Sequence, residues 1–210
     1  MNFELSDGEV RVLGSLIEKK ITTPEYYPLT LNSLVNACNQ KSNREPVVTY
    51  TEIEVQKLID VLRSKRFVRM VEAGGRVPKY KESFTEELNF DASQTAALCV
   101  LMLRGPQTAA EIRNRSGRLH EFAVIEEVED TLNNLTLRED GPFVVKLEKQ
   151  PGMKERRYAH LFSGIPEFIE KKPIEAGEER LAKMESEIEY LKSEIEALKI
   201  TVDELRRVIE

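Results

Sequence analysis

The chain has 210 residues, of which 40% are hydrophobic and 32% charged, and its formal net charge is −6. This length gives room for one large domain or two small ones, and the lack of an apolar run of about 20 residues argues against a membrane span. Because the acidic N-terminus carries no signal-peptide core, we expect a cytoplasmic protein without a membrane partner.

The first 88 residues predict three helices followed by a hairpin. Ser6 and Thr51 each begin a capping box, which marks the start of the first and third helices, and Thr30 caps the second. A polar loop, 39–46, precedes the third helix. The hairpin strands are predicted over 67–71 and 77–81. Helix, helix, helix, hairpin is the order of a winged-helix domain, which we assign to residues 1–88.

Residues 89–164 repeat this order. Helices are predicted from Asp91 or Ser93 to Leu103, from Thr108 to Ser116 and over about 124–137, with strands over 143–149 and 155–161. The two third helices share their apolar spacing, and the two return strands each carry an equivalent tyrosine: Val55, Ile59, Leu62 and Tyr80 against Val128, Leu132, Leu135 and Tyr158. We infer a tandem duplication, with a second winged helix over 89–164.

The end of the chain predicts a linker over 165–179 and a coiled coil over 180–210. Its apolar residues follow a heptad repeat with β-branched residues mostly at a and Leu mostly at d, a pattern that favours a parallel dimer. Charges at the flanking e and g positions pair favourably only in the parallel arrangement. The predicted dimerisation residues are Leu181, Met184, Ile188, Leu191, Ile195, Leu198, Val202, Leu205 and Ile209.

The predicted fold class is therefore mainly α with small β-hairpin wings, as two tandem winged-helix domains followed by a C-terminal coiled-coil helix. Three long segments, 22–46, 103–122 and 138–162, resemble the YceH-like family of uncharacterised bacterial proteins: TTPEYYPLTLNSLVNACNQKSNREP, LRGPQTAAEIRNRSGRLHEF and REDGPFVVKLEKQPGMKERRYAHLF. The resemblance covers about residues 3–164 and implies a pair of winged helices. It brings no catalytic residues with it, and it suggests DNA binding by analogy of fold.

The sequence gives little evidence of catalytic activity. Cys38 and Cys99 lie in apolar helical stretches, where we expect buried thiols, and His120 and His160 complete no metal-ligand spacing. Neither a nucleophile motif nor a phosphate-binding loop is present. We therefore expect no enzyme activity, no catalytic or metal-binding residues and no cofactor.

Nucleic-acid binding has one positive signal. The segment 63–81 holds seven Lys or Arg against one Glu, on the elements that a winged helix offers to phosphates. The alternative is that these cations only keep a hairpin in solution. With the polar loop and the third helix added, the candidate residues are Lys41, Asn43, Arg44, Gln56, Lys57, Arg63, Arg69, Arg76 and Lys79.

The second winged helix is a weaker candidate for DNA. Its third helix exposes carboxylates, Glu126, Glu127, Glu129 and Asp130, which repel a phosphate backbone, so we expect it to pack on the first domain or to meet a protein. Two function classes follow. One is a dimeric, regulator-like protein that binds double-stranded DNA through domain 1. The other is an interaction or scaffold protein whose winged helices bind a cytoplasmic protein.

Overall fold

The computed structural model describes residues 4–71, 77–149, 152, 153, 155–164 and 192. The chain separates into two compact units, Met1–Pro166 and Glu167–Glu210. The predicted linker and coiled coil, with all nine dimerisation residues, lie outside the described residues, so the parallel dimer stays a prediction. Among the described residues no helix is long and apolar enough to cross a membrane.

The first half of the large unit forms the predicted helices at the predicted caps. The side chains of Ser6 and Thr51 accept hydrogen bonds from the third backbone amides of their helices, and Glu9 and Glu54 reach back to complete both capping boxes. The elements are α1 (Asp7–Thr22), a short 3₁₀ helix (Pro24–Tyr26), β1 (Leu29–Thr30), α2 (Leu31–Cys38), α3 (Glu52–Ser64), β2 (Val68–Val71), β3 (Lys79–Glu82) and α4 (Phe84–Glu87).

The hairpin of this half is part of a three-stranded antiparallel sheet with the order β1-β3-β2. β1 pairs Leu29 with Tyr80, and β2 pairs Met70 with the same tyrosine. The sequence pattern did not predict β1, because two residues are too few to show an alternation of polar and apolar side chains.

The second half repeats the arrangement in shorter form. Its elements are α5 (Ala92–Arg104), α6 (Ala109–Ser116), α7 (Ile125–Leu137), β4 (Val144–Lys146) and β5 (Tyr158–His160). An isolated bridge pairs Gln107 with Tyr158, just as Leu29 pairs with Tyr80. Leu29 and Gln107 each directly precede the threonine that caps the next helix. Tyr80 and Tyr158 therefore make similar pairings in the two halves, and β4 and β5 are shorter than the predicted strands.

The two halves share one core built on α1 and α5. The sequence predicts one apolar face for α1, but every residue from Glu9 to Ile17 is buried, because α5 covers the side that the first half leaves open. The helices approach closely at Gly14, where an added Cβ would lie 2.9 Å from Leu103 Cδ2. On α5, residues Thr95 to Leu103 are buried in an unbroken run.

An aromatic cluster also joins the halves. The ring of Phe84 lies 5.1 Å from that of Phe162, and Phe90 lies 4.9 Å from Phe143, both edge to face. Leu5 N–H donates to the Phe162 carbonyl at 2.7 Å, linking the start of the unit to its end. The unit is mainly helical with small antiparallel hairpins, an architecture consistent with winged helices. The division at residue 88 stays a prediction.

Candidate nucleic-acid interface

Helices α2 and α3, with the loop between them, form the helical part of the candidate interface. They pack on each other and on α1, burying Leu34 from α2 and Val55 and Ile59 from α3. The loop between them is held by Asn39, whose side-chain amide donates to the Tyr50 carbonyl and accepts from the Tyr50 N–H, both at 2.8 Å. The N-terminal turn of α3 is therefore held firmly in place.

The outward face of α3 carries two of the predicted cations. Lys57 and Arg63 are exposed. Arg63 Nη1 lies 3.6 Å from Asp60, itself an exposed residue, and such surface pairs are weak enough to exchange one partner for another. The same face exposes two apolar side chains, Ile53 at 70% and Val61 at 43%.

Gln56, the one candidate residue on α3 with a side-chain amide, makes hydrogen bonds at both ends of that amide. Its Nε2 donates to Asp60 Oδ1 at 3.0 Å. Its Oε1 accepts from the Tyr80 hydroxyl at 3.1 Å. The bond with Tyr80 ties α3 to the buried face of the sheet, and the bond with Asp60 lies within α3. Gln56 is therefore a residue that joins two elements, and a base would have to displace one of its partners.

The other face of the three-stranded sheet is basic. Along β2 and β3, Val68, Tyr80 and Glu82 are buried, so the alternating residues Arg69, Lys79 and Lys81 share the opposite side, which we call the outer sheet face. Arg69 and Lys81 are direct cross-strand partners. Like charges opposite each other destabilise a strand pair. Glu87, 2.6 Å from Arg69 Nη2, offsets part of that repulsion.

Arg44 does not belong to the surface, which corrects its place among the candidates. It is 5% exposed, and its guanidinium donates to Glu18 Oε2 at 2.6 Å and to the Ala37 carbonyl at 2.9 Å. Burial alone would raise the pKa of Glu18, but the bonds and charge of Arg44 prevail and hold it below its usual value. Arg44 therefore stabilises the end of α2, where helix carbonyls favour a cation.

The remaining candidates are distributed around the loop and the hairpin. Lys41 and Asn43 are exposed, and Asn43 Oδ1 accepts a hydrogen bond from Arg104. Lys65, counted within the basic segment, donates to Glu9 and to the Glu4 carbonyl and so holds the N-terminus of α1. Arg76 lies outside the described residues. The structure thus brings Arg69 and Lys79 together with Lys81, which the candidate set had left out.

In the second half, the helix that precedes the hairpin, α7, is acidic and carries no Lys or Arg. Glu126, Glu129 and Asp130 are exposed along α7 as predicted, whereas Glu127 is half-buried and accepts a hydrogen bond from the Ala123 N–H at 2.8 Å. Arg157 donates to the Pro106 carbonyl at 2.7 Å, and Arg113 donates to the Phe122 and Ala123 carbonyls. These arginines support loops of their own half and are poorly placed to contact phosphates.

Catalytic chemistry finds little support in the part of the chain that is described. It contains no group of three metal-binding side chains. Both cysteines are buried, and burial raises the pKa of Cys38 to about 11. A cleft of about 550 Å³ lies beside α1 and α5, but the charges at its wall pair with each other, since Lys20 Nζ is 2.7 Å from Glu82 and 3.3 Å from Glu86.

Comparison with known proteins agrees with the predicted resemblance. Residues 5–153 match the family model described as "Protein of unknown function, DUF480". The chain is 49% identical over 198 residues to a UPF0502 protein of Geotalea uraniireducens, covering 90% of each chain. It is 46% identical over 203 residues to one of Serratia proteamaculans, covering 91% of this chain and 94% of the relative. It is 50% identical over 169 residues to the UPF0502 protein YceH of Salmonella newport, covering 78% and 79%.

Proposed function

The chain belongs to the DUF480 family of YceH homologues, and from the geometry of its first half we propose that it is a dimeric winged-helix protein that binds double-stranded DNA. Helix α3 would face the bases, and the cations of α3 and the outer sheet face would contact phosphates. The predicted coiled coil would hold two copies together and so set the distance between half-sites. We place this protein in the cytoplasm and assign it a regulator-like role.

The observation that carries the proposal is the cluster of Arg69, Lys79 and Lys81 on the outer sheet face. Placing Arg69 directly opposite Lys81 costs folding stability, and the core gains nothing from it because all three side chains alternate away from the buried face. A phosphate backbone would remove that repulsion. Lys57 and Arg63 add two exposed cations on α3, the helix that a winged helix presents to DNA, although the exposed carboxylates Glu52, Glu54 and Asp60 share its surface.

A salt titration tests the proposal. Each phosphate that a protein neutralises adds about 0.9 to the slope of log affinity against log salt. Replacing Lys79 and Lys81 together by Ala should therefore weaken binding to a random duplex and flatten the slope by up to about 2 per protomer. The affinity of the full-length protein would be measured by fluorescence anisotropy of a labelled duplex.

The matched control lies in the second half. Lys149 and Arg156 are both exposed near its hairpin, so Lys149→Ala with Arg156→Ala removes the same charge from the other wing. We expect a much smaller change in affinity and slope. Equal losses in the two double variants would contradict the asymmetry between the halves. If the wild-type protein does not bind duplex DNA at low salt, the DNA-binding function is wrong.

A second candidate function, protein binding, is favoured by the surface of α7. Beside its carboxylates α7 exposes Ile125 at 40% and Leu137 at 80%, and Val124 just before it is 52% exposed. A mixed acidic and apolar helix suits a basic, amphipathic protein partner better than a nucleic acid. Replacing Ile125 and Leu137 by Ser should abolish such a contact and leave duplex binding unchanged.

A further inference from the structure

Ile53 occupies the most exposed line of α3. It is the second residue of the helix, and 70% of it is accessible to solvent. The helix buries Val55, Ile59 and Leu62. On the opposite side, residues spaced by three and four run from Ile53 through Lys57 and Asp60 to Ser64, all exposed. An isoleucine therefore stands at the N-terminal end of an otherwise polar line.

The polar neighbours of Ile53 in the first turn of α3 are occupied by the fold. In the capping box, the Glu54 carboxylate accepts hydrogen bonds from the Thr51 N–H at 2.7 Å and from the Thr51 hydroxyl at 2.8 Å. Glu52 accepts from the Asn32 side chain on α2 at 3.4 Å. Ile53 is the apolar side chain that this turn exposes, between two exposed carboxylates that have partners within the fold.

Recognition of adenine by a side-chain amide is correspondingly poor on α3. Gln56 is its one amide side chain, and both ends of that amide are bonded to Tyr80 and Asp60. An apolar side chain can still distinguish bases, because thymine alone carries a methyl group in the major groove of unmodified DNA. The N-terminal residues of a recognition helix are the ones that reach base edges.

We infer that Ile53 is a specificity-determining residue that packs against the 5-methyl group of a thymine in each half-site. This inference rests on the proposed DNA-binding function and adds the kind of base that is read. Binding the methyl group would bury apolar surface of Ile53 that is exposed in the unbound protein. Lys57, one turn later, contributes charge to the same contact zone without selecting a base.

Deoxyuridine differs from thymidine only by that methyl group, which makes the test direct. Duplexes bound by the full-length protein would be selected from a random library, and each thymine of the selected site would be replaced in turn by deoxyuridine. One position per half-site should lose affinity about fourfold, the value expected for removing one buried methyl group. The Ile53→Ala variant should bind the thymine and uracil duplexes equally.

Two controls separate this inference from the function on which it rests. Ile53→Val keeps a branched aliphatic side chain and should retain most of the discrimination. Ile53→Ala removes no charge, so its salt slope should equal that of the wild type. If the wild-type protein binds duplexes but no thymine position responds to deoxyuridine, or Ile53→Ala responds equally, the inference is wrong and DNA binding stands. If it binds no duplex, both are wrong.

Discussion

At the scale of single residues, two arginines show how far a count of positive charges can mislead. Arg11 and Arg44 are both buried and donate to the carbonyls of Cys38 and Ala37 at the end of α2. The last carbonyls of a helix have no partners within it and carry a partial negative charge. Both arginines supply the partners that the helix lacks, so neither belongs to a binding surface.

Arg44 should therefore contribute to the folding stability of the protein. Replacing it by Ala leaves the Glu18 carboxylate and the Ala37 carbonyl without their buried partner, and we expect the free energy of unfolding to fall by about 3–5 kcal/mol. Urea denaturation measures this change, and Lys41→Ala, in the exposed part of the same loop, should change stability by less than about 0.5 kcal/mol. Similar small effects of both substitutions would contradict the structural role of Arg44.

His160 predicts a pH dependence of stability. Its ring stacks on Phe162 with centroids 5.5 Å apart, and burial lowers its pKa from 6.5 to about 4, with a small opposing effect of Asp7. Between these two pKa values the unfolded chain therefore binds more protons than the folded protein. The stability that neutral His160 contributes is complete above its unfolded pKa and is lost as the pH falls.

We expect the effect of this residue to lower the free energy of unfolding by about 2 kcal/mol as the pH falls from about 7 to about 5. This range lies above most carboxylate pKa values. In His160→Gln, which cannot take up the proton, the free energy of unfolding should change less over the same range. Urea denaturation at several pH values provides the comparison. Identical pH profiles for wild type and variant would show that His160 is not the group responsible.

At the scale of elements, the close approach of α1 and α5 depends on Gly14. A methyl group at this position would meet Leu103 Cδ2 at 2.9 Å and Met102 Cβ at 3.2 Å, so the Leu103 side chain would have to move and the backbone near Met102 to shift slightly. Cys99 Sγ lies 3.5 Å from the Gly14 carbonyl, which shows how near the backbone of α1 comes to the side chains of α5. The glycine is required by packing, even though it weakens the helix itself.

Gly14→Ala should therefore destabilise the protein by about 1–3 kcal/mol through overpacking, despite the gain in helix propensity of about 1 kcal/mol. Thermal unfolding followed by circular dichroism measures the effect. Gly117, the C-cap of α6, has no neighbouring atom within 4 Å of an added Cβ, so Gly117→Ala is a matched control that should be neutral or stabilising. A stable Gly14→Ala variant would mean that the contact between α1 and α5 can accommodate the methyl group without loss.

At the scale of the whole molecule, the predicted coiled coil would decide whether one or two copies of the proposed DNA-binding surface act together. Replacing Ile195 and Leu198 by Lys puts charges into the predicted seam and should give folded monomers, because a and d positions must be apolar in a dimer. Light scattering measures the mass. Ser186→Lys with Ser193→Lys adds the same charge at outward positions and should remain dimeric. An unchanged dimer mass in the seam variant would place the interface elsewhere.

The local elements could be predicted from the sequence. Capping boxes at Ser6, Thr51 and Thr108 mark helix starts within one residue, because the bonds of a capping box form between residues three apart and need no tertiary context. The repeat of apolar spacing and the tyrosines Tyr80 and Tyr158 likewise predicted equivalent positions in the two halves. The parallel dimer also follows from local spacing, and it stays a prediction.

What only the tertiary structure decided was which side chains face solvent. Arg44 and Lys41 lie three residues apart in one polar loop, yet one is buried against Glu18 and the other is exposed. The full burial of α1 depends on α5, which is about 80 residues away along the chain. The bond between Gln56 and Tyr80 depends on how α3 packs on the sheet, and the outer sheet face of Arg69, Lys79 and Lys81 depends on strand register. Such features arise from contacts between distant segments, and no local periodicity encodes them.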